Sequence, residues 1–333
     1  MKKLLNLLLA LTIVASAAFA AASQQGGSGP SYPTKPVTCI VPYAPGGGSD
    51  TLVRAVMKSI KLPNNQSMVA VNVEGAAGFT GGMRAYNSPA DGYTIMTHNT
   101  LDLLSYFQSG QDTVPIITEG TTIALVVTDY NVISTNKIAA AEYGWKSIED
   151  VVAWCKANPG KKLRWGTTGA QNDNWISSQR VARELGIFDS FTFTPYDSGA
   201  ATRTASLQNE VEVSMNTASE VPGVVASGDN IPLLVVNSTR IKSLPNTPTT
   251  QEKGIKVTTT KPRGFFGPKG MNSEHVKVLS DALKTVCDDP EFQDTIVKLG
   301  FDVVFMDSAT AKQKTNEWLA ELQPFYDEFK KNR

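Results

Sequence analysis

Residues 37–50 read Val37-Thr38-Cys39-Ile40-Val41-Pro42-Tyr43-Ala44-Pro45-Gly46-Gly47-Gly48-Ser49-Asp50. A compact apolar and β-branched run stopped by a proline is the pattern of a buried parallel strand. The glycines allow positive φ and a close backbone approach. Residues 51–61 then place Leu52, Val56 and Ile60 on one face of a helix. Strand, glycine turn and helix form the first half of a βαβ unit. The same logic continues outward. Residues 68–73 are a second strand, 75–82 a second glycine-rich turn with a helix behind it, and 93–97 a third strand after the tight turn Pro89-Ala90-Asp91-Gly92. The pattern predicts an α/β fold with a mainly parallel sheet.

A second set of such units follows. Residues 121–134 are one long β-branched stretch. Residues 145–156 read as a helix capped by Ser147, with Glu149 and Asp150 in its first turn and Asn158-Pro159-Gly160 ending it. A strand at 163–165 runs into the small-residue turn Gly166-Thr167-Thr168-Gly169-Ala170, followed by a helix over 173–185. Strands are expected at 191–195, 211–215 (ending in Asn216) and 231–237, and Asp197-Ser198-Gly199 opens a further helix. The tail is more helical. Val276, Leu279, Leu283 and Val286 share one helix face, and helices over 292–299 and 308–330 flank a short strand at 303–305.

Composition narrows the function. The 333 residues carry 31 Lys+Arg and 31 Asp+Glu, which excludes a broad cationic field for nucleic acid or anionic lipid. An apolar fraction of 41% with 19% charged residues supports a buried core in one large domain or two medium ones. Two histidines, His98 and His275, and three cysteines are too few for a His-based catalytic machine or a Cys/His zinc site. No metal and no cofactor are expected. Residues 1–20 have the form of a signal peptide: Lys2 and Lys3, an apolar run over 4–14, and Ala18-Phe19-Ala20 as the cleavage site. Residues 21–35 are read as a flexible leader, rich in Gly, Ser and Gln over 21–31. No later stretch is long enough to span a bilayer, so an exported, soluble, periplasmic protein is expected. Export permits disulfides. Cys39, Cys155 and Cys287 allow at most one intramolecular bridge, and the preferred reading is three small buried groups.

A strand feeding a helix through a glycine turn leaves free N–H groups at the helix start, where the macrodipole also favours an anion. Two such turns, 46–48 and 166–169, can face each other across a cleft and hold a small carboxylate. Gly81-Gly82 and Gly160 are read as plain turn residues. The glycines lack the G-x-G-x-x-G spacing of a dinucleotide site, and no Walker motif is present.

The segment Pro42 to Asp50, followed by a helix with Arg54, resembles the first ligand loop of the tripartite tricarboxylate transporter substrate-binding proteins, the Bug receptors. Further matches come in order: Gly75-Ala76-Ala77-Gly78, Ala90-Asp91-Gly92-Tyr93-Thr94, Lys156-Ala157-Asn158-Pro159-Gly160-Lys161, Gly166-Thr167-Thr168-Gly169, Pro195-Tyr196 and Leu244-Pro245-Asn246-Thr247-Pro248-Thr249. The resemblance implies a two-lobed α/β fold of the periplasmic-binding-protein type II kind, closing about a hinge like a Venus flytrap. Lobe I would hold residues 36–128 and 239–333, lobe II residues 129–238, with crossings near 126–131 and 235–240. It further implies a monomeric receptor without catalysis. Such a receptor captures a small mono- or dicarboxylate, aromatic ones included, and delivers it to the membrane permease subunits of a tripartite transporter.

Carried over by position, the ligand contacts are Tyr43, Ala44, Gly47, Ser49 and Asp50 in one lobe. In the other they are Thr167, Thr168, Gly169 and Ala170, with Ser198 and Asn216. Trp175 either stacks on a planar ligand or belongs to the core or surface. The chain departs from the family pattern at Asp197-Ser198-Gly199, usually Lys-Gly-Ser, at Asn216, often Asp, and before Gly75, where Arg-Pro is missing. Asp50 is expected to shape its loop, because its charge would repel a carboxylate. Arg203 points to solvent or reaches a second carboxylate. His98 is expected to be a structural hydrogen bonder, His275 solvated, Tyr43 a cleft wall and Phe265-Phe266 hinge-side core. Since neutral helix-end donors would hold the anion, weak salt dependence is expected. The alternatives are a ligand-presenting partner of a membrane sensor kinase and an exported α/β enzyme, although no Gly-x-Ser-x-Gly elbow occurs.

Overall fold

In the computed structural model, residues 32–102, 119–170 and 172–331 are described; the expected signal peptide and most of the expected leader lie outside these residues. The first sheet has six strands in the order β11-β4-β10-β3-β1-β2. These are β1 (Val37–Val41), β2 (Met68–Asn72), β3 (Thr94–Asn99), β4 (Thr121–Asp129), β10 (Lys261–Gly267) and β11 (Asp302–Asp307). The second has five, β7-β6-β8-β5-β9: β5 (Asn131–Asn136), β6 (Leu163–Thr168), β7 (Phe191–Tyr196), β8 (Val213–Thr217) and β9 (Asn230–Val235).

Each sheet is covered by helices. On the first lie α1 (Gly48–Ser59), α2 (Phe79–Tyr86), α8 (Ser273–Asp288), α9 (Pro290–Lys298) and α10 (Ser308–Lys331). On the second lie α3 (Lys137–Tyr143), α4 (Ile148–Ala157), α5 (Asp173–Glu184), α6 (Gly199–Leu207) and α7 (Pro222–Ala226). The cap expected at Ser147 is a full capping box with Asp150. The apolar stripe of α8 buries Val276, Leu279, Leu283 and Val286 in one apolar cluster with Val126 and Val127 of β4. At about 1.5–3 kcal/mol for each fully buried aliphatic side chain, that stripe is what seats the helix.

The sheets are mixed rather than mainly parallel. β1 pairs in parallel with β2 and β3, and β6 with β7 and β8, but every pairing of β10, β4, β11 and β5 is antiparallel. The cause is β10, which the sequence disguises with Lys261, Pro262, Arg263 and Gly264. It inserts between β3 and β4. Gly264 is required there, since any Cβ would overlap the Ala124 carbonyl oxygen. Phe265 and Phe266 are core as expected, but within this strand, on opposite faces.

Other expectations shift with packing. The stretch 121–134 is two strands in different sheets, separated by Tyr130. Gly81 and Gly82 lie inside α2, not in a turn. A Cβ at Gly81 would stand 2.6 Å from the Val73 oxygen and 2.7 Å from Pro42 Cα, so close helix–strand contact explains the glycine. Residues 239–257, placed with lobe I from the sequence, pack on the second sheet: Val235 bridges Thr249, and Ile255 and Val257 join the Trp145–Trp165 core. The end of the expected leader is also ordered by packing. Tyr32 is buried and stacks on His275 at 4.0 Å, and His275 Nδ1 donates to the Asp91 oxygen at 3.0 Å. His275 is therefore half-buried rather than solvated.

All three cysteines are buried and unpaired. Burial pushes the Cys39 and Cys155 thiols up and Cys287 up to about 12, so none forms the reactive thiolate near neutrality. Ellman's reagent is expected to find essentially no thiol in the native protein at pH 8 and all three in denaturant. A denatured, unreduced count below three would reveal a bridge.

Candidate functional site

Strand polarity gathers the site at one sheet edge. β4 runs in the same direction as β3, and β10, between them, runs against both, so the start of β10 lies beside the ends of its neighbours. The register sets Lys261 opposite Asp129 and Arg263 opposite Asn99 and Val127. The loop after β1 opens at the same edge, because β1 is parallel to β3. In the second sheet, β6 and β8 are parallel and end together, and β5 starts beside the end of β8 with Asn131 opposite Thr217. The crossing at Tyr130 therefore sits next to both strand ends, and the two edges face each other.

The first loop is shaped from within. Asp50 accepts hydrogen bonds from the Gly46 amide at 2.9 Å, Arg54 Nε at 2.8 Å and Asn72 Nδ2 at 3.2 Å. Burial raises its pKa, but these three donors outweigh burial and hold it below the usual carboxylate range. Asp50 thus spends its charge on the loop, in line with its expected shaping role.

Between the lobes is a cavity of about 20 Å³, room for about one water. The first lobe lines it with Tyr43, Gly47, Gly48, Ser49, Asp102, Lys261 and Arg263, the second with Thr168, Asn174, Gly199, Thr217 and Glu220. A larger hollow of about 230 Å³ adjoins, bordered by Asp173, Arg180, Asn237, Thr259 and Trp318. The start of α5 borders both, through Asn174 and Asp173.

Of the expected contacts, Tyr43, Gly47, Ser49 and Thr168 meet at this cavity, while the remaining eight do not line it. Ala44 is half-buried and Ala170 exposed in their loops. Thr167 is fully buried, and Gly169 already donates its amide to the Tyr196 oxygen at 2.7 Å. Ser198 caps α6 by accepting from the Ala201 amide. Asn216 is buried, donating to the Gly199 oxygen at 2.9 Å and Glu220 Oε2 at 3.1 Å. Trp175 packs edge-on against Phe193, 6.1 Å between centroids. Arg203 donates to the Glu220 backbone oxygen at 3.0 Å.

The charged groups were missed from sequence. Arg263 is 4% exposed. It donates to Asp129 Oδ2 through Nε at 3.1 Å and Nη2 at 2.9 Å, and through Nη1 to Ser49 Oγ at 2.9 Å. Burial opposes its charge, but Asp129, Glu220 and Asp102 prevail and hold its pKa above the usual value. Lys261, 1% exposed, donates to Asn174 Oδ1 and lies 3.4 Å from Asp173 and 3.9 Å from Asp102. The only sequence signal was two basic residues flanking a proline before an aromatic pair. The gap is therefore lined by an ionic network beside the helix starts read from the sequence.

Asp129, 0% exposed, also accepts from the Tyr130 amide at 2.8 Å and from Ser219, through its amide at 3.2 Å and its Oγ at 2.6 Å. Ser219 belongs to the second lobe, so this carboxylate joins both lobes at the crossing. His98 is the structural hydrogen bonder expected of it. Its Nδ1 donates to the Asn99 oxygen at 2.8 Å, leaving Nε2 to accept from the Tyr43 hydroxyl at 3.3 Å.

Two α/β lobes with facing strand-end loops and a shared charged cleft define a periplasmic binding protein, a class of solute-binding receptors. The family model for the tripartite tricarboxylate transporter family receptor matches residues 52–329, and the chain belongs to that family. A UPF0065 protein from the gbd 5′ region of Cupriavidus necator is 25% identical over 286 residues, 83% of this chain and 82% of that protein. The fold matches an R. palustris protein solved with adipate (TM-score 0.80, 20% identity, 88% of this chain and 96% of that one). It also matches MatC from Rhodopseudomonas palustris with bound malate (TM-score 0.76, 18% identity, 89% and 100%). The chain is a receptor of this family, not an enzyme.

Removing Arg263 leaves Asp129 buried and unpaired. Arg263→Ala is expected to cost about 3–5 kcal/mol of unfolding free energy, and the double variant with Asp129→Asn less than the sum of the single losses. Chemical denaturation measures both; strictly additive losses would mean that the two groups do not interact.

Burial lowers the His98 pKa from 6.5 to about 4. The unfolded chain then takes up a proton before the folded one. This contribution to stability is complete above pH 6.5 and is lost as pH falls from 6.5 to about 4. His98→Gln is expected to flatten that part of the stability–pH curve; an unchanged slope would assign it to other groups.

Proposed function

We propose that this protein is an exported receptor that captures a small mono- or dicarboxylate between its lobes and delivers it to the membrane subunits of a tripartite transporter. One observation carries the reading: the starts of α1 and α6 and the buried cations Arg263 and Lys261 converge on a single interlobe gap. Helix-start amides and full positive charges both favour a carboxylate over water once the lobes close. The solved relatives with adipate and malate agree with that chemistry.

On this reading Tyr43, Gly47, Ser49 and Thr168, with Arg263 and Lys261, form the binding wall. Residues 1–20 are removed near Ala20 on export to the periplasm, and the protein acts as a monomer. The lobes divide at Tyr130 and near 258–261, somewhat later than residue 239. The second crossing is placed there because residues 239–257 pack with the second sheet. Since the cavity holds about one water, ligand entry requires the lobes to part.

Calorimetry and thermal melts of the mature protein against adipate, malate and shorter mono- and dicarboxylates test the reading. At least one is expected to bind with a micromolar Kd and raise Tm by several degrees. If every acid leaves heat and melting unchanged, the carboxylate assignment fails.

A further inference from the structure

The point where the two helix starts meet is already held by a carboxylate of the protein itself. Glu220 Oε1 accepts from the amide of Gly48, the first residue of α1, at 3.4 Å. Its Oε2 accepts from the Thr217 amide and from Asn216 Nδ2, both at 3.1 Å. On its other side stands Gly199, the first residue of α6, where any Cβ would overlap the carboxyl carbon and both oxygens. The approach is equally close at Gly48, where a Cβ would overlap Ser219 Oγ. Glycine at both helix starts is what lets the Ser219-Glu220 segment of one lobe fill the gap against the other. The cations behind it are committed as well, Arg263 to Asp129 and Lys261 to Asn174 and Asp173.

We propose that Glu220 is a tethered competitor of the ligand: its carboxylate latches the closed cleft and swings out when a ligand carboxylate takes the ends of α1 and α6. The proposal rests on the carboxylate-receptor reading above. It sets selectivity by simple exchange. Replacing one carboxylate by another at the same amides gains little, so a bound acid draws its affinity from a second group that reaches past this point towards Lys261. Acids with one carboxylate and a short apolar tail are rejected for that reason. The latch also lowers the apparent affinity of every acid, because the competent state is only a fraction of the population.

The test uses the mature wild type, Glu220→Gln and Glu220→Ala. Each is titrated calorimetrically with adipate, malate and acetate, and small-angle scattering is recorded without ligand. Both variants are expected to bind the dicarboxylates about tenfold tighter, to gain measurable acetate binding, and to have a larger radius of gyration than wild type until ligand is added. Dicarboxylate binding that weakens or stays the same in both variants overturns the proposal and leaves the receptor reading intact. If no protein binds any acid, the receptor reading falls, and scattering alone decides the latch: equal radii sink it, and larger radii in the variants support it.

Discussion

A carboxylate with no solvent exposure has to be satisfied by the protein, and Asp129 is satisfied from three directions at once. Arg263 supplies charge and two N–H donors from β10, Tyr130 supplies the amide of the crossing residue, and Ser219 supplies an amide and a hydroxyl from the second lobe. Leaving such a group unpaired would cost several kcal/mol, a large part of the net stability of a domain. The same arrangement therefore fixes β10 between β3 and β4, sets the backbone at the crossing and draws the Ala218–Glu220 turn against lobe I. Gly300 serves the same contact, since a Cβ there would overlap the Ala218 carbonyl. The crossing is held further by Tyr130, whose hydroxyl donates to Asp302 at 2.7 Å.

Around that node the cleft carries Arg263 and Lys261 against Asp102, Asp129, Asp173 and Glu220. The cations are not free charges waiting for an anion. Each is compensated inside the protein, which makes their burial tolerable. Binding in such a site is an exchange of partners more than a capture by an open positive field. That view agrees with the neutral overall charge of the chain and with a closed cleft that has little space left. It also gives a physical meaning to the glycines at positions 48 and 199. At Gly48 a Cβ would overlap Ser219 of the other lobe, and at Gly199 it would overlap the carboxylate of Glu220 in its own lobe.

The elements themselves were largely legible. β1, the helix behind its glycine loop, the capped helix after Ser147 and the amphipathic α8 follow from periodicity and capping chemistry. Legibility failed where tertiary contact overrode local pattern. Gly81 and Gly82 look like turn residues but lie in a helix pressed onto Pro42 and Val73. β10 contains a proline, a glycine and two cations, a composition that argues against a central strand. It is one all the same, because a bulge near Arg263 and the glycine contact with Ala124 accommodate it. At the cleft, Tyr43, Gly47, Ser49 and Thr168 were readable from the loops, whereas Lys261 and Arg263 were marked only by the proline between them and the aromatic pair behind, and Glu220 carried no local signal.

By itself, the sequence determined the local chemistry: which segments become strands and helices, which helix starts expose their amides, and how Asp50 folds back on its own loop. These interactions span few residues, so spacing and residue type suffice to specify them. Only the tertiary structure decided which charges share the cleft. Arg263 meets Asp129 from 134 positions away, and Glu220 meets Gly48 from 172. Those meetings depend on the antiparallel insertion of β10 and on how one lobe closes upon the other, and no short-range pattern encodes either.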